Sequence, residues 1–405
     1  MKIFVVNGGS SSFKCCLYNF EDPPIEFISP VWQGHLQWKN NFEDLSLTVK
    51  KKDEADYVEM VKVKDKSLES SLEHLLNFLF LDKSAVISSL NEIDVLGHRI
   101  VHGGNIFKES VYITSEVKEK IRYLSELAPL HNLYELEAIE ILEKLMGKIP
   151  QIAIFDTAFH HTLPEAAKIY SGPYSWYEAG IQRYGFHGIN FQYCLRRSAE
   201  ILKCDVNRLR IVICHLGSGA SLCAIKDGKS VDTTMGFTPL EGLMMDTRSG
   251  SIDPGIILYF LKKGKKTLEE ISNELYNKSG LLGISGFSSD MRDIIREDLN
   301  GNLHAKIAMD IYIHRLNACI GSMIATLKGI DVLVFTAGIG ENASLVRERV
   351  CETFSFLEMK LDKFKNEHLF LADQELSTAG SKVKILLIHA KEEFQIACEC
   401  WKKMV

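Results

Sequence analysis

Short apolar runs that end in Gly-rich turns alternate along the chain with longer stretches whose apolar residues recur every three or four positions. The short runs are rich in β-branched residues and predict strands over residues 3–6, 95–101, 151–155, 211–214, 332–335 and 384–388. The longer stretches predict helices over 116–127, 134–146, 268–275, 303–327 and 392–404. Strands interleaved with helices define an α/β class, a mixed sheet covered by helices.

One internal echo stands out. Residues 3–20 read as a strand, then Asn7-Gly8-Gly9-Ser10-Ser11-Ser12, then a strand. Residues 211–225 read as a strand, then His215-Leu216-Gly217-Ser218-Gly219-Ala220-Ser221, then a strand. Either one alone is an ordinary hairpin with a Gly/Ser turn. Two of them, opening the two halves, point to a pair of phosphate-holding loops on duplicated domains. In the first, the glycines free backbone N–H groups to face an anion while Ser hydroxyls and Lys14 add donors and charge.

Composition narrows the class. A chain of 405 residues with 46% hydrophobic side chains can bury more than one core, so two domains are expected. The net charge is −6 and no block of Lys or Arg is long enough to neutralise many phosphates, which argues against nucleic acid as a partner. No apolar run reaches membrane-spanning length, and the run after Met1-Lys2 is too short for a secretory segment, so a cytoplasmic protein without a membrane partner is expected. The ten cysteines form no C-x-x-C pair, so they are expected to be reduced and mostly buried, with Cys398 and Cys400 incidental on a terminal helix.

Several stretches could carry chemistry. The G-x-x-x-x-G-K-[ST] signature is absent, because Cys223 stands where its first glycine belongs, and Asp227-Gly228 reads as a hairpin turn. In 97–104 an Arg at a strand end beside a double glycine, Arg99, is placed either to grip a carboxylate or phosphate or to tie down a carbonyl. Asp156, just past a strand, is either a metal or substrate orienter or an N-cap. His187 and Arg248 are each bracketed by glycines, and a satisfied structural histidine remains open for the former. Gly338-Ile339-Gly340-Glu341-Asn342 follows a strand and precedes a helix, where a nucleotide could lie against the helix start.

Taken together and in order, these stretches make the chain similar to the acetate kinase family. The match runs from Val6-Asn7-Gly8-Gly9-Ser10-Ser11-Ser12-Phe13-Lys14 through Met235-Gly236-Phe237-Thr238-Pro239-Leu240-Glu241-Gly242 to Glu392-Glu393, nearly the whole chain. Its most specific segments are 234–250, 279–286 with 289–292, and 335–342.

The resemblance implies two duplicated RNase H-like domains of the sugar kinase, actin and Hsp70 group (actin-like ATPase domains), with a nucleotide cleft between them. It implies an N-terminal acid- and metal-site domain of residues 1–155 with 387–405, a C-terminal nucleotide-binding domain of 156–386, and a homodimer. The implied activity is phosphotransfer to a carboxyl group: reversible, Mg- (or Mn-) dependent transfer from ATP to acetate by direct in-line attack, giving acetyl phosphate and ADP. Asn7 and Glu392 would place the metal. Lys14 would bind ATP together with His215, Leu216, Gly217, Ser218 and Gly219, with Asp290, Met291 and Arg292, and with Gly338, Ile339, Gly340, Glu341 and Asn342. Arg99, Asp156, His187 and Arg248 match the catalytic positions, and Arg99, Val101, Leu130, Phe186 and Pro239 match those that receive the acid. A carboxylate is already ionised near neutral pH, so such chemistry needs positioning and charge stabilisation rather than a strong base.

The chain also departs from the family pattern. Ile189-Asn190-Phe191 replace the usual Thr-Ser-His, Ser218 replaces Asn in the His-Leu-Gly-Asn-Gly loop, and Asp246 replaces a Gly beside Arg248, adding a carboxylate able to pair with that arginine. Three further readings stay open: a propionate or butyrate kinase, a pyrophosphate-dependent kinase, and a catalytically weak nucleotide-binding sensor.

Overall fold

The computed structural model describes residues 1–8, 12–39, 44–51, 57–61, 67–80, 85–127, 131–368 and 373–405. The chain divides into two compact units, Met1–Phe159 with Lys391–Val405, and His160–Ala390. Residues 156–159 therefore fall in the first unit and 387–390 in the second, a shift from the expected boundaries at 155/156 and 386/387. Hydrogen bonds account for the shift. Asp156 N–H still donates to Ile100 O at 2.9 Å, while Ile388 N–H donates to Phe335 O and Ala390 N–H to the Glu341 carboxylate.

In the first unit the described strands are β1 (Lys2–Gly8), β2 (Ser12–Asn19), β3 (Trp32–Lys39), β4 (Asp44–Lys51), β5 (Tyr57–Val61), β6 (Val95–Ile100), β7 (Val111–Tyr112) and β8 (Gln151–Phe155), in sheet order β5-β4-β3-β2-β1-β6-β8-β7. Neighbours from β1 to β5 are antiparallel, whereas β1 pairs parallel with β6 and β6 with β8. The second unit holds β9 (Arg210–Leu216), β10 (Ala220–Lys226), β11 (Lys229–Thr233), β12 (Val332–Thr336), β13 (Gln374–Glu375) and β14 (Lys384–Leu387), in order β11-β10-β9-β12-β14-β13. Here too an antiparallel run, of three strands, leads into three parallel ones: β9 pairs parallel with β12, and β12 with β14.

All six strands expected from the apolar runs are present, and helices occupy the five periodic stretches, at Ser115–Leu124, Asn132–Met146, Leu268–Asn277, Leu303–Leu327 and Glu392–Met404. The longest helix buries Ala305, Ala308, Met309, Tyr312, Leu316, Ile320, Met323 and Leu327, one stripe at helical spacing. The helix Gly188–Leu202 was not anticipated, because its apolar positions are interrupted by Asn190, Gln192 and two arginines.

The central strand β1 is buried on both faces, as a strand in a covered parallel sheet must be. Phe4 and Val6 join the core that includes Leu72, Leu75 and Leu142 from the helices Leu68–Phe80 and Asn132–Met146. The other face takes the C-terminal helix, where Phe394 packs tilted against Tyr18 and edge-on against Phe20. Gly97 on β6 makes that approach possible: a Cβ there would lie 2.5 Å from Cys400 Sγ and 2.8 Å from Ile396 Cγ2. Overpacking at such a contact costs about 1–3 kcal/mol. Gly97→Ala is therefore expected to lower the unfolding free energy by that amount, read from a lower denaturant midpoint, without abolishing folding; an unchanged midpoint would show that the helix yields freely.

Candidate functional site

Parallel pairing brings the carboxyl ends of β1, β6 and β8 to one edge, the edge where ligands collect in sheets of this kind. The register pairs Val6 with His98 and Ile100 with Phe155, so Asn7, Arg99 and Asp156 lie side by side. Arg99 Nε and Nη2 both donate to Asp156 Oδ2, at 3.1 and 2.6 Å, and Nη1 donates to Asn7 Oδ1 at 3.3 Å. Asn7 Nδ2 in turn donates to Glu392 Oε2 (3.3 Å) and Glu393 Oε1 (3.0 Å) in the first turn of the C-terminal helix. Arg99 is thus held by a carboxylate rather than by a turn carbonyl, and Asp156 aligns it rather than capping a helix.

The cluster is rich in carboxylates. Burial opposes the charge on Arg99, but Asp156 and Glu392 outweigh it and hold the guanidinium above its usual range. Burial, reinforced by Asp156 and Glu393, pushes Glu392 up to about 7, against the pull of Arg99. Asp156 Oδ1 is buried and has no hydrogen-bond partner among the described residues. Among the same residues no group of three or more His, Cys, Asp or Glu side chains is arranged to enclose a metal. An amide oxygen and two carboxylates with a spare oxygen are nonetheless the hard donors that Mg²⁺ accepts, since it completes its shell with water and substrate phosphates.

Glu135 was missed by the sequence reading. It lies in the first turn of the helix Asn132–Met146, is 3% exposed, and its Oε2 accepts from Val101 N–H at 3.0 Å. Nothing in its spacing marked it, because Tyr134-Glu135 reads as a solvated helix start. Val101 itself is buried, while Leu130 and the loop residues Gly9, Ser10 and Ser11 lie outside the described residues. Lys14 is exposed on β2, opposite Asn7 in the register.

In the second unit, His187 sits at φ +60° immediately before the helix Gly188–Leu202. Its Nδ1 lies 2.8 Å from Ser221 Oγ, and its ring stacks on His215 at 3.9 Å and 9°. His187 Nε2 and Arg248 Nη1 lie 3.4 and 3.5 Å from the position a Cβ on Gly219 would occupy, so a glycine here leaves both donors open to the same small space. Arg248 also donates from Nη1 to Pro239 O at 3.1 Å, and burial lowers its pKa. No ion pair joins it to Asp246. That carboxyl, raised chiefly by burial, interacts with Ser218 instead, so the expected pairing does not occur. Phe186 is buried, and its carbonyl accepts from His160 Nε2.

A cavity of about 510 Å³ opens beside this point. Gly217, Ser218, Asp290, Met291, Arg292, Gly338, Ile339 and Asn342 line it together with Asp246, so three stretches far apart in sequence meet there. Asp290 caps the helix Met291–Leu299 by accepting from Arg292 N–H. Leu216 is fully buried in β9, and Glu341 is engaged with Ala390 N–H. Arg347, also missed, is fully buried and donates to the Gly340 and Glu341 carbonyls at 2.8 Å, anchoring that stretch from beneath.

Two α/β units, one with an arginine clamp among carboxylates and one with a glycine-rich cavity flanked by His187 and Arg248, define a phosphate-handling class of protein. The profile of the acetokinase family matches residues 2–398. An acetate kinase of Nostoc punctiforme is 48% identical over 404 residues, covering 99% of both chains. Among solved structures, acetate kinase from Porphyromonas gingivalis matches at TM-score 0.91 and 38% identity over all of both chains. A propionate kinase from Francisella tularensis matches at 0.88 and 36% over 98% of both. The chain belongs to the acetokinase family.

Glu135 generates a prediction. Burial raises its carboxyl to about 8, with Asp156 adding to the rise and Arg99 and the Val101 N–H opposing it. A carboxyl with a raised folded-state pKa favours the fold at low pH and loses that contribution as pH climbs from the unfolded value near 4.5 through about 8. Glu135→Gln keeps an acceptor for Val101 N–H without the charge. Its thermal midpoint is expected to match the wild type at pH 5 and to exceed it at pH 9; equal midpoints at both would show that the carboxyl has the same pKa in the folded and unfolded chain.

Proposed function

We propose that this chain is an acetate kinase: it transfers the γ-phosphoryl group of ATP to acetate, reversibly and with Mg²⁺ or Mn²⁺, giving acetyl phosphate and ADP. The observation that carries this reading is the convergence of His187 Nε2 and Arg248 Nη1 over Gly219, beside the cavity lined by 217–218, 290–292 and 338–342. Near identity in length to acetate kinases at about half sequence identity supports the same chemistry.

Each group has a role that its surroundings suit. Arg99, pre-aligned by Asp156, receives the acid's carboxylate on the face of its fork that Asp156 leaves open. The ionised carboxylate attacks phosphorus in line and needs no base. His187 and Arg248 meet the charge that develops on the equatorial oxygens, and the lowered pKa of Arg248 reflects a charge held out of water, where it acts strongly. Asn7 and Glu392 would hold Mg²⁺, which would supply neutralising charge for phosphate oxygens. By the family resemblance Val101, Leu130, Phe186 and Pro239 are the positions that would select for the size of the acid, of which Val101 and Phe186 are buried. One more methylene changes binding by about 1–3 kcal/mol, so propionate is a slower substrate rather than an excluded one.

The finer architecture follows the same reading. The shared order β3-β2-β1-β6-β8 and β11-β10-β9-β12-β14 supports two duplicated RNase H-like domains, an acid- and metal-site domain and a nucleotide-binding domain. Exposed Ile256, Leu258, Tyr259 and Leu261 on the helix Pro254–Lys262 support a homodimer, with a second copy covering them. Ten free cysteines and a dependence on ATP support a cytoplasmic setting.

Hydroxylamine trapping of acyl phosphate, with ATP, Mg²⁺ and acetate or propionate, tests the function. The wild type is expected to form acetyl hydroxamate faster than propionyl hydroxamate, and Arg248→Ala to lose on the order of a hundredfold or more in turnover. No product with either acid would refute the kinase reading for ATP.

A further inference from the structure

Asn190, on the first turn of the helix Gly188–Leu202, is fully buried yet takes no part in the scheme above. Its Nδ2 lies 2.8 Å from His215 Nδ1 and 3.4 Å from Thr336 Oγ1, and its Oδ1 accepts from the Cys194 thiol at 3.8 Å. An amide NH₂ can only donate, so the His215 Nδ1 it meets must be an acceptor. A neutral imidazole carries one proton, which then resides on Nε2. The opposite setting of the amide would accept from an Nδ1–H instead, but it would aim the amide N–H at sulfur, a weak acceptor, and would turn a bare Nε2 toward the Gly217–Gly219 turn. His215 Nε2 lies 3.7 Å from where a Cβ on Gly217 would stand, so its N–H faces the Gly217–Gly219 turn. The flat face of the same ring stacks under His187 at 3.9 Å, where an uncharged partner avoids repulsion against a donor that serves the phosphoryl group.

We propose that Asn190 is a positioning residue that locks His215 as its neutral Nε2–H tautomer, so that the ring donates to phosphate oxygens of a nucleotide held in the Gly217–Gly219 turn. The proposal rests on the nucleotide reading of that turn given above. Asn190 never touches the nucleotide; it acts by choosing which nitrogen of His215 is the donor.

The test uses the full chain labelled with ¹⁵N-histidine, in which two-bond ¹H–¹⁵N correlations report the protonated nitrogen, and His215→Gln identifies the signals. Wild-type His215 is expected to read as Nε2–H without nucleotide. Asn190→Asp has the same shape but only accepts, and is expected to move the proton to Nδ1; Asn190→Leu is expected to give a mixture. Asn190→Asp should raise the KM for ATP about tenfold, the loss of one hydrogen bond to a charged group, and Asn190→Leu only about twofold, in proportion to the tautomer lost, with little change in the KM for acetate in either. A wild-type ring protonated on Nδ1 overturns the proposal even if neither variant folds. An unchanged KM for ATP in variants whose tautomer has moved overturns it as well. If His215→Leu, which has no donor, leaves the KM for ATP unchanged, the nucleotide reading of the turn fails and takes the proposal with it, whatever the tautomer spectrum shows.

Discussion

The buried ion pair between Arg99 and Asp156 is the constraint around which the first unit is organised. Asp156 is 1% exposed and spends one oxygen on two nitrogens of the guanidinium, so the arginine can neither swing away nor be removed without stranding a charge. Breaking such a pair by deleting one partner costs about 3–5 kcal/mol, more than most packing contacts. The pair depends on β6 and β8 running parallel in one register, which sets the two residues at neighbouring strand ends. Asn7 extends the arrangement to β1 and to the first turn of the C-terminal helix, so residues at opposite ends of the chain share one hydrogen-bonded network.

Charge in this network is unevenly balanced. Glu392, Glu393, Asp156 and Glu135 crowd around one guanidinium, and burial raises Glu392 and Glu135 because their negative charges are not fully compensated. A metal ion would relieve that excess, and the spare oxygen of Asp156 is a place for a positive or hydrogen-bonding group.

The second unit relies on small residues instead. Gly219 leaves room in front of His187 and Arg248, and the left-handed backbone at His187 turns its ring against His215. Arg347 supports Gly340 and Glu341 through their carbonyls, with no carboxylate opposite it, and burial lowers its pKa to about 10. Rigid backbone under an open cavity is what a site needs when its work is positioning rather than proton transfer.

Much of this was legible from local pattern. Apolar runs marked the six central strands because strands covered on both faces need uninterrupted hydrophobic residues, and the glycine brackets marked Arg99, His187 and Arg248, where a Cβ on Gly104, Gly185 or Gly250 would meet a neighbour within 2.7 Å. What local pattern could not supply was which polar residues meet. Glu135, Asn190 and Arg347 look like solvated helix positions in the sequence, and become buried only because a neighbouring strand end or loop lies over them. Asp246 reads as a partner for Arg248 because it is two residues away, yet the turn directs it to Ser218. The sequence by itself determined the strands, the helices and the glycine-lined turns, since these follow from periodicity and backbone sterics within a few residues. Only the tertiary structure decided the charge partners and hydrogen-bond directions, because those depend on distances between segments from tens to hundreds of residues apart.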